Sequence, residues 1–297
     1  MKLATAKLDQ NNTVLYASLD GHRYICVNEV GVDPDYRWLV GVKDVQDLFA
    51  RRDDASTMLA KSLKSVAVDQ LKTLDQLALE PPITHPRAVV CVGRNYPLHV
   101  AEGKANMPER PLLFSKYSNT LIGQNGVVPF PSITEKLDYE GELAVVIGKR
   151  ASRIAEFDAF NYIGGYTIIN DISARDLQER DLQWIRGKSL DGFAPIGPVV
   201  VTTDEIADVN RLRIVTTVNG EVRQNALCEE MHFKIPQLLA FITEGITLEP
   251  GDVIATGTPA GVGLGFNPPR YLHPGDIVNV TIEPIGTLSS TIGEVRR

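Results

Sequence analysis

The residues best suited to chemistry lie in Asp138-Tyr139-Glu140-Gly141-Glu142-Leu143-Ala144-Val145-Val146-Ile147-Gly148. Glu140 and Glu142 are two apart at the mouth of a very apolar run, and residues i and i+2 of a strand share a face. Carboxylates held together in a buried setting repel unless a cation or a proton sits between them. Downstream, Tyr166-Thr167-Ile168-Ile169-Asn170-Asp171 ends a second apolar run with another carboxylate. Three oxygen ligands without His or Cys suit a hard cation such as Mg2+ or Mn2+, with water or substrate completing its shell. The pattern alone fits solvated strand ends equally well, and Asp171 also fits the N-cap of a following helix.

A second constellation is Gly93-Arg94-Asn95-Tyr96-Pro97-Leu98-His99-Val100-Ala101-Glu102, after the run Val89–Val92. His99 and Glu102 are i, i+3 and become neighbours on a helical turn. A histidine oriented by a carboxylate is a recurrent general base, although a surface ion pair is the plainer reading of the spacing alone. Other familiar motifs fail. Gly187-Lys188-Ser189 has Leu182 where a phosphate-binding loop needs glycine. Gly257, Gly261, Gly263 and Gly265 lack the dinucleotide spacing, and neither G-x-S-x-G nor H-E-x-x-H occurs.

The elements that must carry these groups are mostly β. Alternating runs at Leu3–Leu8, Val14–Leu19 and Tyr24–Val30 predict strands. A charged stretch from Asp44 to Glu80 follows, with Leu48, Leu59, Leu63, Val66, Leu71 and Leu74 near helical spacing. Pro81-Pro82 ends it and marks an expected boundary between a small N-terminal α/β domain (1–80) and a larger domain (81–297). Beyond it, Ala88–Gly93, Leu112–Lys116, Leu143–Gly148, Tyr162–Asn170, Val199–Thr203, Leu212–Val218, Val253–Thr256 and Ile277–Ile282 read as strands. Helices are expected at Ser173–Ile185 and Pro236–Thr243. Many short strands with few helices predict an α+β, mostly β fold, a decorated roll or barrel rather than a doubly wound sheet. Leu248–Ile254 echoes Leu272–Val278, each with a Pro-Gly pair suited to a type II turn that launches a strand.

Composition narrows the class. The chain has 297 residues, 43% hydrophobic and 23% charged, with a net charge of −7. That balance argues against a nucleic-acid footprint, and no apolar stretch approaches the roughly 18 residues of a membrane span. Met1–Lys7 does not read as a signal peptide. Cys26, Cys91 and Cys228 form no C-x-x-C pair, so neither a disulfide framework nor a zinc knuckle is expected, and a reducing cytosol is the default. The sequon Asn11-Asn12-Thr13 would matter only in a secretory lumen.

Together the segments resemble the fumarylacetoacetate hydrolase family. The resemblance rests on five stretches in the family's order, from about residue 85 to 285. They are Cys91–Tyr96 with His99 and Glu102, Asp138–Glu142, Asn170–Gln178, Gly187–Asp191 and Thr256–Gly263. The resemblance implies a mixed β-roll catalytic domain, usually homodimeric, with a divalent cation on Glu140, Glu142 and Asp171. It implies that His99 and Glu102 form a water-activating dyad on a segment that orders as a lid, and that Lys188 is the active-site lysine. Arg94, Tyr96, Arg175, Gln178 and Thr258 are then the substrate-contacting positions.

The reaction expected from these residues is Mg2+-dependent (or Mn2+-dependent) hydrolysis of a C–C bond in a 2,4-dioxo acid of the acylpyruvate type. A 2-oxo acid offers one carboxylate oxygen and its 2-oxo oxygen to the ion, which acts as Lewis acid. The alternatives are oxaloacetate decarboxylation or tautomerisation, isomerisation of unsaturated 2-oxo diacids, and a catalytically idle homologue, because fold and metal do not choose among them. The expected partner is a small-molecule 2-oxo acid, with no nucleic acid and no membrane. The expected location is cytoplasmic, a mitochondrial one staying open.

Overall fold

The computed structural model describes residues 1–10, 12–31, 33–64 and 71–296. In chain order the strands begin with β1 (Lys2–Lys7), β2 (Thr13–Ser18), β3 (Arg23–Cys26), β4 (Lys72–Thr73), β5 (Val89–Gly93) and β6 (Leu112–Lys116). Next come β7 (Leu121–Ile122), β8 (Gly126–Pro131), β9 (Leu137–Asp138), β10 (Gly141–Ile147), β11 (Ile163–Asn170) and β12 (Ser173–Ala174). The last are β13 (Ala194–Thr202), β14 (Arg213–Val218), β15 (Glu221–Leu227), β16 (Val253–Ala255), β17 (Ile277–Ile282) and β18 (Gly286–Arg296). The helices are α1 (Val27–Val30), α2 (Val45–Arg51), α3 (Ala55–Leu63), α4 (Pro97–Glu102), α5 (Arg175–Arg180), α6 (Ile185–Lys188) and α7 (Ile235–Thr243).

An eleven-stranded sheet runs β4-β3-β2-β1-β13-β11-β10-β16-β5-β6, with β7 joined to β13. A five-stranded sheet runs β15-β14-β17-β18-β8. Pairing is mixed: β16 and β5 are parallel, as are β18 and β8, among mainly antiparallel neighbours. The fold is mostly β with mixed sheets, the class expected from the sequence.

The unbroken apolar run of β10 has a direct cause. Leu143, Val145 and Ile147 face one core, with Ile214, Val280 and Leu288 of the five-stranded sheet and Leu238, Leu239 and Ile242 of α7. Ala144 and Val146 face the other, with Leu48, Phe49 and Leu59 of α2 and α3. A strand covered on both faces cannot alternate. Shortening one such residue, Leu143→Ala for example, costs about 2–5 kcal/mol. A third core joins β8, β17 and β18 to β9 and α5 through Val128, Val278, Ile292, Leu137 and Leu177.

Residues 1–80 are hydrogen-bonded to the larger C-terminal part of the chain, because β1 pairs with β13 at Leu3↔Val200. The predicted strand Tyr24–Val30 divides into β3 and the helical turn α1, where Val27 and Val30 both turn inward. The stretch Asp44–Glu80 holds α2, α3 and β4; Val66 and Asn11 lie outside the described residues. The predicted helix Ser173–Ile185 is also divided. Ser173 and Ala174 pair with β9, α5 spans Arg175–Arg180, and Leu182 adopts φ 59 before α6 begins. The helix Pro236–Thr243 is present as α7, with proline in its first turn. Both Pro-Gly turns occur as expected: Gly251 and Gly275 have φ 87 and φ 90, and β16 and β17 follow them. No helix among the described residues is long and apolar enough to cross a membrane.

Candidate active site

Antiparallel pairing of β10 with β11 creates the site. The register sets Gly141 opposite Asn170, so the start of one strand lies beside the end of the other. Glu140 and Asp171 therefore become neighbours. The Asp171 amide donates to the Glu140 carbonyl at 2.8 Å, and the Glu140 amide donates to the Asn170 side-chain oxygen at 3.0 Å. Glycine is required between the two glutamates because the second sheet presses on it. A Cβ on Gly141 would lie 2.2 Å from the Thr216 hydroxyl.

One carboxylate oxygen from each of Glu140, Glu142 and Asp171 falls within 4.8 Å of the others, and all three residues are buried. Lys188 bridges two of them, its Nζ 2.7 Å from both Glu140 Oε2 and Asp171 Oδ2. It is seated by α6, which packs on α5 through Gly187; a Cβ there would meet the Gln178 amide nitrogen at 2.7 Å. A second buried lysine, Lys116, reaches Asp171 Oδ1 at 2.6 Å. Arg175 binds Glu140 Oε1 at 2.6 Å and Asp138 Oδ2 at 2.8 Å. Gln178 accepts from Arg175 Nη1 at 3.2 Å.

The electrostatics follow from this inventory. Four buried carboxylates, Asp138, Glu140, Glu142 and Asp171, share three cations, Lys116, Lys188 and Arg175. Burial resists ionisation of Glu140, but Lys188 and Arg175 outweigh it and hold that carboxyl below the ordinary range. Among the described residues Glu142 is hydrogen-bonded by the Gly257 amide, 2.7 Å from its Oε2, and has no ion pair of its own. Burial, with Asp171 and Glu140 alongside, pushes Glu142 well above the ordinary range. The cluster thus carries one uncompensated negative charge, met by a proton on Glu142 or by a bound cation. Donors that are all carboxylate oxygens fit a hard divalent ion such as Mg2+ or Mn2+, and the residues present fit that group.

The dyad forms on α4. His99 Nδ1 lies 2.8 Å from Glu102 Oε1, and Glu102 Oε2 accepts from the Gly261 amide at 2.9 Å. His99 lines the same cavity of about 430 Å³ as Glu140, Glu142, Arg175, Gln178, Lys188, Thr258 and Arg94. Thr258 is held on both sides: its hydroxyl donates to the Gly141 carbonyl at 3.0 Å and accepts from Gln224 at 2.8 Å. Tyr96 is the exception among the expected contacts. Its ring lies in the core with Leu238 and Cys228, and it is absent from the cavity wall. Burial, with Cys228 nearby, pushes its hydroxyl well above the ordinary range.

Three buried residues that position the site give little or no sign of it in the sequence. Lys116 stands at the end of an apolar strand, a place where an unpaired lysine is costly, and that was its only signal. Asp138 holds Arg175 and accepts from the Gly263 and Leu264 amides at 2.7 and 3.0 Å, tying the arginine to the glycine-rich loop. Gln224 accepts from the Gly141 amide at 3.0 Å and donates to Thr258 Oγ1 and the Pro259 carbonyl at 2.8 and 2.7 Å. It lies on β15, whose polar sequence gave no strand signal.

The family model "Fumarylacetoacetate (FAA) hydrolase C-terminal" matches residues 88–293. Oxaloacetate tautomerase YisK of Bacillus subtilis is 48% identical over 225 residues, covering 74% of this chain and 75% of its own. The structure of a fumarylacetoacetate hydrolase from Exiguobacterium antarcticum is 35% identical, with TM-score 0.81 over 100% of both chains. That of 2-hydroxyhepta-2,4-diene-1,7-dioate isomerase from Mycobacterium marinum is 31% identical, with TM-score 0.74 over 99% of this chain and 98% of its own. With that match over residues 88–293 and a 48% identical relative, the chain belongs to the fumarylacetoacetate hydrolase family of enzymes.

Proposed function

We propose that this enzyme moves a proton at the carbon next to the 2-oxo group of a short 2-oxo acid, with keto–enol tautomerisation of oxaloacetate as its reaction. The observation that carries the reading is His99, paired with Glu102, on the wall of the cavity that Glu140 and Glu142 of the carboxylate triad also line. The 48% identity to a protein named oxaloacetate tautomerase supports it. Glu140, Glu142 and Asp171 would hold a divalent ion, which when bound supplies Lewis acidity toward the 2-oxo group.

The chain's own residues do the rest. Glu102 accepts at Nδ1 of His99 and leaves Nε2 as the basic nitrogen that takes the proton from C3 and passes it to the 2-oxo oxygen, directly or by exchange with water, the reverse transfer regenerating the keto form. Arg175 has a buried Nη2 without a partner among the described residues, a donor suited to a substrate oxygen. Lys188 stabilises charge as it develops on oxygen, a contribution typically of roughly 3–4 kcal/mol. Thr258, fixed by Gln224, shapes the wall next to Glu142.

A second reading is hydrolytic cleavage of an acylpyruvate, in which His99 activates water instead. The complete dyad favours it, and it shares every other residue. Incubating the purified protein with Mg2+ and oxaloacetate, and separately with acetylpyruvate, tests both. Tautomerisation well above the uncatalysed rate, with pyruvate release from acetylpyruvate slower by orders of magnitude, is the expected result. Uncatalysed decay of the oxaloacetate enol alongside rapid acetylpyruvate cleavage would reverse the order of the two readings.

A further inference from the structure

The charge around the triad accommodates one carboxylate of a substrate. With a divalent ion in place, the buried cluster of four acids and three bases carries a single net positive charge, which the carboxylate beside the 2-oxo group offsets. A second carboxylate on the same molecule finds no counter-charge there.

The open end of the cavity is built differently. Arg94 and Lys136 both line it, and both are exposed. Among the described residues neither forms an ion pair within 4.0 Å, although the other cations of the cavity, Arg175 and Lys188, are each paired with two acids. Both are nonetheless placed. Arg94 has φ 57, which turns the chain sharply after β5, and its guanidinium sits 5.7 Å from the Trp184 ring. Trp184 packs edge-on against Phe114 at 5.4 Å and fills the space left by Gly93, where a Cβ would lie 2.4 Å from the indole. Lys136 is anchored through its backbone: its amide donates to Thr134 Oγ1 at 3.2 Å and its carbonyl accepts from the Arg175 amide at 3.0 Å. Its backbone is therefore tied to that of the arginine that reaches the triad. The acid on this wall, Glu179, lies near Tyr271.

We infer that Arg94 and Lys136 receive a second carboxylate at the mouth, so that the enzyme selects 2-oxo dicarboxylic acids over monocarboxylic ones. The inference rests on the 2-oxo acid reading above and names the residues that set its specificity. Arginine suits the task because its planar fork can bind a carboxylate with two hydrogen bonds while its face stays on the indole.

Matched acids test it by calorimetry on the full, Mg2+-loaded chain. 2-Oxoglutarate and 2-oxopentanoate differ only in a terminal carboxylate or methyl group, as do oxaloacetate and 2-oxobutanoate. Oxalate, too short to reach the mouth, reports the integrity of the triad end. The diacid should bind roughly tenfold or more tightly in at least one pair. Arg94→Gln and Lys136→Gln should each weaken the diacid by roughly 5–20-fold, the range of hydrogen bonds to charged groups at partly exposed sites. The monoacid and oxalate should be unchanged, and Arg94→Lys should keep part of the preference. Equal binding within both pairs, or variants that weaken mono- and diacids alike, would overturn the assignment. Oxaloacetate turnover is read in parallel. Diacid preference without turnover defeats the proposed reaction and leaves this inference standing, whereas turnover without preference does the opposite.

Discussion

Gln224 is far from the acids in sequence and makes no contact with their carboxylates, yet replacing it should loosen the metal site. Its side chain joins the Gly141 peptide, which separates Glu140 from Glu142, to the loop at Thr258 and Pro259. Gln224→Leu keeps the bulk and removes all three hydrogen bonds. The Gly141 amide and the Pro259 carbonyl then lose this buried partner, at about 1–3 kcal/mol each, so a total loss of about 2–6 kcal/mol is expected. A domain with the usual stability of roughly 5–15 kcal/mol stays folded. Because the loop also supplies the Gly257 amide that holds Glu142, Mg2+ affinity should drop by roughly 10–100-fold, as when outer-shell partners of metal ligands are removed. Urea denaturation measures the first quantity and Mg2+ calorimetry the second. Leu288→Ala, deep in the core against α7, provides the comparison: similar destabilisation with Mg2+ affinity preserved. If Gln224→Leu matches Leu288→Ala in both measurements, the glutamine is a packing element and the reasoning fails.

Three other outcomes are expected. Glu140→Ala, Glu142→Ala and Asp171→Ala should each abolish measurable Mg2+ binding, while Glu142→Gln should do so and also stabilise the metal-free protein in neutral buffer; unchanged calorimetric affinity in all four refutes the triad. The raised carboxyl of Glu142 sets the sign of a pH effect. The metal-free folded chain retains a proton that the unfolded chain releases, so stability is lost as pH rises from the ordinary carboxylate range through the folded value. Mg2+ displaces that proton, and its increase in melting temperature should therefore grow from acid to mildly alkaline buffer; a constant increase refutes the linkage. His99→Ala should reduce turnover by roughly 10²–10⁴-fold with oxalate and Mg2+ binding retained, and a smaller loss removes it as the base.

How much of this was legible in the sequence depended on burial. The two-faced apolar run of β10 announced a central strand, and acids at the ends of two such runs announced a site, because antiparallel neighbours bring opposite ends together. The two edge strands of the five-stranded sheet were silent. β8 carries Pro129 and Pro131 and β15 is mostly polar, both compositions that the rim of a sheet tolerates. The interval 173–185 misled because no glycine or proline marks its break, whereas Leu177 is buried and Leu182, at φ 59, is 81% exposed. Tyr96 shares a motif with Arg94 but points into the core. Lys116, Asp138 and Gln224 were hidden for a common reason: each acts through partners dozens of residues away, and single side chains carry no period.

Glu102 spends its two oxygens on different structures, one on the imidazole of His99 and one on the backbone of the glycine-rich loop. Any excursion of α4 away from that loop therefore disarms the base in the same movement that opens the cavity. On the proposed reading the carboxylate would act as a coincidence detector, linking the histidine to the position of the wall. Proton transfer would then be synchronous with enclosure, and its timing would depend on a single side chain rather than on the acids below it.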